Sequence, residues 1–367
     1  MKVPFLDLHY QTHQIRKKVL TQWDNILDNS SFVLSEELKN FEKQFSHYSH
    51  IKYSTGVGNG GDAIEFLLRS LKLAKNSTVY VPVNTFIATA AAVSRAGYKI
   101  KFVDINKSDG LIDYETLLNY KIKGGDVVIP VHLFGSMLDV KILKKGLGAD
   151  VKIIEDASQA HGATFKGDSP GRHSYGATYS FYPGKNLGAF GDGGLVSTNN
   201  KQIDKNIKLL RNYGSLNKYK HDLIGFNSRL DPLQAIVLSE KLKYLDDWND
   251  LRKKNFEVYK NTLSDVLQIQ FLEIPEYSES VFHLTVVKVQ NRPRLINYLQ
   301  EKNISTIIHY PYPLHKTKAY SSYKYRKGEF SNSEFLADKI LSLPNYPGMT
   351  KDKILYVCSE IKKFYKA

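Results

Sequence analysis

The sequence has a single cysteine, Cys358, in 367 residues. One thiol closes no internal disulfide and supplies no cysteine metal cluster, and no metal site is expected. No apolar stretch approaches the length of about 18 residues that a membrane-spanning helix needs. The first residues, Met1 to Leu8, form no apolar signal region, so the expected location is the cytoplasm. Runs of like charge, low-complexity tracts and internal repeats are absent as well. These absences exclude a disulfide-stapled scaffold, a helical membrane protein, a repeat array and a disordered tail.

What is present is an ordinary globular composition, 42% hydrophobic and 24% charged. Lys and Arg number 51 against 37 Asp and Glu, a formal net charge of +14. Such a balance fits a nucleic acid, a membrane surface or an anionic substrate. The lysines are scattered rather than clustered, which favours a solvated surface, with neither nucleic acid nor membrane as partner. The length implies about two domains.

Apolar residues recur at helical spacing over 10–28 and 36–47. A glycine-rich turn at 54–62 then opens a helix at Ala63. Short apolar strands follow at 78–82, 100–104, 126–131 and 151–156, with helical segments between them. This alternation predicts an α/β fold with a mostly parallel sheet. Two further strands, 177–181 and 194–198, flank another glycine-rich loop. One long helix is predicted from Leu233 through Leu245 and past Trp248. Beyond about residue 250 the pattern becomes a smaller α+β unit: a strand at 283–289, a helix at 292–301, a strand at 304–310 and a closing helix. The expected boundary gives a large domain at 1–248 and a small one at 249–367, with the first residues packed on the small domain.

Two residues stand out chemically. Asp156 ends a buried strand, and ligands of open α/β sheets bind at such ends. Taken alone, a strand-end Asp is more often a turn or cap residue. Lys185 lies in Ser180-Phe181-Tyr182-Pro183-Gly184-Lys185-Asn186, ahead of Gly188, Gly191, Gly193 and Gly194. A loop lysine is usually plain surface, but this one follows an apolar strand and emerges from the core. The turn before the helix at 63 can hold a phosphate on its backbone N–H groups. An acid, a lysine and a phosphate cradle together suit pyridoxal phosphate, which bonds covalently to a lysine and places an acid against its ring nitrogen.

The chain resembles the DegT/DnrJ/StrS family of sugar-nucleotide aminotransferases, which have the aspartate-aminotransferase fold. The segments that carry the likeness are 4–8, 56–60, 81–88, 154–162, 180–194, 212–215, 225–231 and 308–311, in that order and spacing. The resemblance implies a large domain with a seven-stranded sheet. It implies that Lys185 anchors pyridoxal 5'-phosphate, with pyridoxamine 5'-phosphate as the other working form, and that Asp156 pairs with the ring nitrogen. Gln159 lies on the ring-hydroxyl side and Phe86 stacks on the ring. Gly60, Gly61 and Ser180 hold the phosphate, with Asn227 reaching in from the partner subunit of a homodimer. Tyr182, Tyr219, His309 and Tyr310 line the sugar-nucleotide cleft. Unaided, Phe86 reads as a core aromatic and His309 as a structural histidine.

Gly61 departs from the pattern, since many members have a threonine or serine there whose hydroxyl binds the phosphate. The lysine at 185 separates the chain from relatives with histidine there, which are dehydratases. The segments 212–215, Lys218-Tyr219 and 227–231 look most like the branch that aminates position three of a dTDP-linked 3-keto-6-deoxyhexose, with L-glutamate as donor. The alternatives are a position-four aminotransferase and a non-catalytic regulatory protein on the same fold. A cell-surface polysaccharide pathway is the family-level expectation.

Overall fold

A computed structural model describes residues 1–217 and 219–366. Helices α1 (His9–Asn29) and α2 (Glu36–Tyr48) precede β1 (Tyr53–Val57) and α3 (Gly60–Ser70). The chain then alternates through β2 (Thr78–Pro82), α4 (Ile87–Ala96), β3 (Lys99–Val103), α5 (Tyr114–Leu118), β4 (Val127–Val128), α6 (Val140–Leu147), β5 (Lys152–Ile153) and β6 (Glu155–Asp156). After the short β7 (Thr164–Phe165) come β8 (Ala177–Ser180), β9 (Gly194–Thr198), α7 (Lys201–Leu210), α8 (Pro232–Leu242) and α9 (Leu245–Thr262). The remainder holds β10 (Ile269–Phe271), β11 (Ser278–Glu279), β12 (Thr285–Val289), α10 (Arg292–Glu301), α11 (Ser331–Lys339), β13 (Ile340–Leu343) and α12 (Lys351–Lys366).

Two sets of strands, β1-β9-β8-β6 and β3-β2-β4-β5, form the large sheet. They join because β5 and β6 lie in line, with Ile154 N–H donating to Val128 O and Asp156 N–H to Pro130 O. Every pairing is parallel except the two made by β9. Both faces are covered, which explains the unbroken apolar runs. Val79 and Val81 of β2 enter one core with Phe66, Leu67 and Val93, while Tyr80 enters the opposite one with Leu117, Val140 and Leu143. With both faces dry, the strand ends are where polar side chains can gather.

The small unit packs the antiparallel sheet β10-β12-β13 against α9, α10 and α12. Val3 joins its core, with N–H to Asn303 O at 2.9 Å and its carbonyl accepting from Ser305 at 3.0 Å. Cys358 is buried there as a free thiol. No helix among the described residues is long and apolar enough to cross a membrane.

Two sequence expectations fail. The long helix beginning near Leu233 is two helices: Tyr244 leaves helical dihedrals (φ −114°, ψ 1°) and its ring stacks on Trp248 at 5.7 Å. The second helix, α9, runs across residues 248 and 249 and links the two units. The segment 304–310 is not a strand. It pairs with Val3 at Ile304 and with Ser342 at Ile307, so no single partner runs beside it far enough to form a ladder. The pattern also passed over β1, which pairs antiparallel with β9.

Candidate functional site

The strand ends open on a cavity of about 990 Å³ between the large sheet and the small unit. Asp156 sits on its floor at the end of β6, 4% exposed. Its backbone is locked by Pro130 and His132 (3.0 and 2.9 Å), so the carboxylate has one direction to point. Oδ2 accepts the Thr89 hydroxyl at 2.8 Å and Oδ1 accepts the Ser158 N–H at 3.1 Å. The adjacent Glu155 points to the other side of the strand, where His132, Gly171 and Ser174 satisfy it.

Lys185 reaches the same cavity from the loop after β8. Phe181 N–H to Gly193 O and Ala189 N–H to Phe181 O, both 2.8 Å, fold the loop back on itself. A Cβ at Gly188 would lie 2.4 Å from Pro183 O, so only glycine permits that approach. The buried Lys241 donates to Gly188 O at 2.6 Å and closes the loop from behind. On the other side Asn186 donates to Asn249 (2.7 Å) and Val281 O (3.0 Å), and its Oδ1 meets His283 Nδ1 at 2.9 Å. Lys185 is thus held on both flanks while its amine faces the cavity.

Burial pulls the Lys185 pKa down to about 8, and the Asp156 carboxylate partly restrains that fall. The same burial, with the nearby Lys185 charge, lowers His309 to about 4 and holds His283 well below the usual histidine range. Both histidines are therefore neutral near pH 7. Burial and the negative charge of Asp156 raise Tyr310.

Gln159 bridges the wall, accepting Phe134 N–H at 2.7 Å and donating to the Tyr310 hydroxyl at 3.2 Å. The Tyr310 ring lies 5.9 Å from that of Phe86, whose side chain is 57% exposed and faces the cavity. Phe86 is therefore not a core aromatic. His309 packs on Phe5 at 5.7 Å and holds Ser342 at 2.9 Å through Nδ1. Tyr182 lines the opening.

At the far end, α3 presents its N-terminus. Asn59 caps it, accepting the Asp62 N–H at 2.9 Å, which leaves the N–H groups of Gly60 and Gly61 without acceptors inside the helix. A Cβ at Gly60 would lie 2.7 Å from Cβ of Ser180, so the helix end and the serine meet only because residue 60 is glycine. This cradle of backbone donors and one hydroxyl fits a phosphate. With a buried carboxylate and a pKa-lowered lysine in the same cavity, the donor set fits pyridoxal phosphate.

Thus Gly60, Gly61, Phe86, Asp156, Gln159, Ser180, Tyr182, Lys185, His309 and Tyr310 share one cavity. Asn227 and Tyr219 are not among its lining residues in the single chain: Asn227 is exposed and Tyr219 is 85% exposed at φ +65°. Lys218 falls outside the described residues. Sequence reading missed Thr89, Asn186, His283 and Arg95. Asn186 adjoins the lysine and could have been noticed; Thr89 acts across 67 residues of chain and carried no local signal. Thr89→Val keeps the shape and removes the donor to Asp156, so a roughly tenfold fall in kcat with an unchanged melting temperature is expected. An unchanged kcat would show that Thr89 does not position the carboxylate.

The profile of the DegT/DnrJ/EryC1/StrS aminotransferase family matches residues 13–362. The dTDP-3-amino-3,6-dideoxy-alpha-D-galactopyranose transaminase of Aneurinibacillus thermoaerophilus is 36% identical, covering 99% of both chains. The structure of Streptomyces venezuelae DesV in complex with a ketimine intermediate superposes with a TM-score of 0.96 at 35% identity, over 100% of this chain and 99% of that one. Bacillus subtilis ntda with bound PMP gives 0.88 at 30% identity, over 98% and 85%.

Proposed function

Since the chain belongs to the DegT/DnrJ/EryC1/StrS aminotransferase family, we propose that it transfers the amino group of L-glutamate to position three of a dTDP-linked 3-keto-6-deoxyhexose. The products are a 3-amino-3,6-dideoxyhexose nucleotide and 2-oxoglutarate. The protein is an enzyme, a sugar-nucleotide aminotransferase dependent on pyridoxal phosphate. The observation that carries the catalytic part of the reading is a single cavity that unites Lys185, Asp156 and the α3 cradle. The choice of dTDP and of position three rests on the loop pattern at 212–231 and on likeness to 3-amino-sugar transaminases.

When bound, pyridoxal phosphate supplies an electron sink for the carbon that loses its proton. The residues do the remainder. Lys185 Nζ would hold the cofactor covalently and, as a neutral amine, would be the base that carries the donor's α-proton. Its lowered pKa leaves the amine partly neutral near pH 8, as a base must be. Asp156, held by Thr89 and Ser158, would keep the ring nitrogen protonated. Gln159 would serve the ring hydroxyl, and Phe86 would cover one ring face and exclude water from it. Tyr182, His309 and Tyr310 border the sugar.

A homodimer is part of the proposal. The excursion 212–227 carries Asn227 away from its own cavity and exposes Tyr213, Leu216 and Ile224, the last at 94%. Apolar side chains left out in this way are what a second copy covers. Asn227, and Tyr219 on the same excursion, then serve the neighbouring subunit's site.

The test is to incubate the enzyme with glutamate and each keto-sugar nucleotide and to locate the new amine by NMR. Nitrogen on carbon three of the dTDP-linked 3-keto sugar is expected. Exclusive amination at carbon four would overturn the substrate assignment and leave the enzyme class intact.

A further inference from the structure

We propose that Arg95 is an additional phosphate ligand of the cofactor, serving the end of the cradle where Gly61 offers no side chain. The inference rests on the reading of Gly60, Gly61 and Ser180 as that cradle. Arg95 lies near the end of α4, on a different element from the other three, and lines the same cavity. A Cβ at Gly61 would lie 3.5 Å from Arg95 Nη2 and 4.0 Å from Ala88 Cβ. The guanidinium thus lies over the bare helix end, beside the space a larger residue at 61 would enter.

Its orientation is imposed. Nη2 meets Asp62 Oδ1 at 2.9 Å and Nε meets Glu65 Oε2 at 2.7 Å. Glu65 is held in turn by Arg69 at 2.7 Å, and Arg69 Nη2 donates to the Arg95 carbonyl at 2.7 Å. A guanidinium has five N–H donors, and these contacts engage two of them. Nη1 makes no hydrogen bond among the described residues and is available to an oxyanion. The planar fork suits that task, since it matches the spacing of phosphate oxygens.

Charge gives a second reason. Asp62 stands in the first turn of α3, directly beside the cradle, and its Oδ2 is already occupied by Asn59 and Ser228. A phosphate monoester of about −1.5 to −2 charge placed there is repelled by that carboxylate. Arg95 is bonded to Asp62 on the exposed side and offsets the repulsion. The same ion pairs that clamp α3 to α4 thus place the guanidinium over Gly61, 3.5 Å from where a Cβ would lie.

The test compares cofactor-free wild type, Arg95→Met, Arg95→Lys and Ser180→Ala. Each is titrated with pyridoxal phosphate and with pyridoxal, which has the same aldehyde and ring but no phosphate. Binding is read from the lysine-linked absorbance, and stability from calorimetry. Arg95→Met should weaken pyridoxal phosphate roughly tenfold, the half-exposed setting holding the loss below that of a buried charged bond. Pyridoxal affinity should change less than about twofold. Arg95→Lys keeps the charge without the fork and should fall between; it also serves if the methionine variant does not fold.

Equal weakening of both ligands, or of neither, overturns the role of Arg95. Ser180→Ala separates that failure from a failure of the cradle itself. If Ser180→Ala selectively weakens pyridoxal phosphate while the Arg95 variants do not, the cradle stands and only Arg95 is misassigned. In the Arg95→Met background, Gly61→Ser should recover part of the affinity and Gly61→Ala none. Both add the same Cβ, 3.2 Å from Asn59 Oδ1, and only serine adds a hydroxyl.

Discussion

Replacing Lys185 by alanine is expected to abolish turnover, with losses on the order of 10⁴-fold or more, and to remove the yellow lysine-linked chromophore. Two proposed functions would vanish together, the covalent anchor and the proton carrier. No neighbour can substitute. Lys241 is also lowered to about 8 by burial, but its amine lies against Gly188 O behind the loop, and it does not line the cavity. His309 and His283 are neutral near pH 7 and lack an amine. The fold should survive, since the Lys185 side chain makes no hydrogen bond among the described residues; the flanking bonds are made by Asn186 and the backbone. Rapid mixing with glutamate, followed by absorbance, reads the first half-reaction directly. A variant retaining the same covalent chromophore would show that another lysine is the anchor.

Asp156→Asn is expected to lower kcat by on the order of 10²–10³. The carboxylate accepts on both oxygens, from Thr89 and from the Ser158 backbone. An amide can keep its oxygen on the Ser158 N–H and donate its NH₂ to the Thr89 hydroxyl, which can also accept, so the side chain can hold its place. The negative charge at the proposed ring-nitrogen position disappears nonetheless. A second readout separates this from simple misfolding. Asp156 raises the Lys185 pKa against the pull of burial, so removing its charge moves that pKa further below about 8. In the cofactor-free wild type, an amine titrating near 8 is about one quarter neutral at pH 7.5, against about 0.1% for an ordinary lysine near 10.4. Capture of the cofactor aldehyde needs the neutral amine. Its rate therefore rises with pH through this window and levels off above it, and in Asp156→Asn the rise shifts to lower pH. An unshifted profile would show that the two groups do not interact.

The placement of Asp156 and Lys185 at strand ends on one cavity was legible in the sequence because each is announced locally. One ends an apolar strand, and the other follows an apolar strand into a glycine-rich loop. The parallel sheet was legible for the same reason, since strands buried on both faces leave apolar runs with no alternation. What escaped was non-local. Thr89 reaches Asp156 across 67 residues and Arg95 reaches Asp62 across 33, and neither leaves a pattern in its own segment. The segment 304–310 has the composition of a strand, but it divides its bonds between Val3 and Ser342 and puts His309 and Tyr310 on the cavity. The break at Tyr244 depends on a ring stack and dihedrals that helical periodicity does not register. Gly61 was noticed as a departure, and only the fold brings Arg95 above it.

The proposed chemistry depends above all on Lys185. Reducing the holoenzyme with borohydride fixes the cofactor to whichever amine carries it, and peptide mass spectrometry then locates the added pyridoxyl group. The expected result is a single modified peptide containing Lys185, with Lys241 unmodified. A pyridoxyl group on Lys241 or on a surface lysine, with Lys185 free, would contradict it.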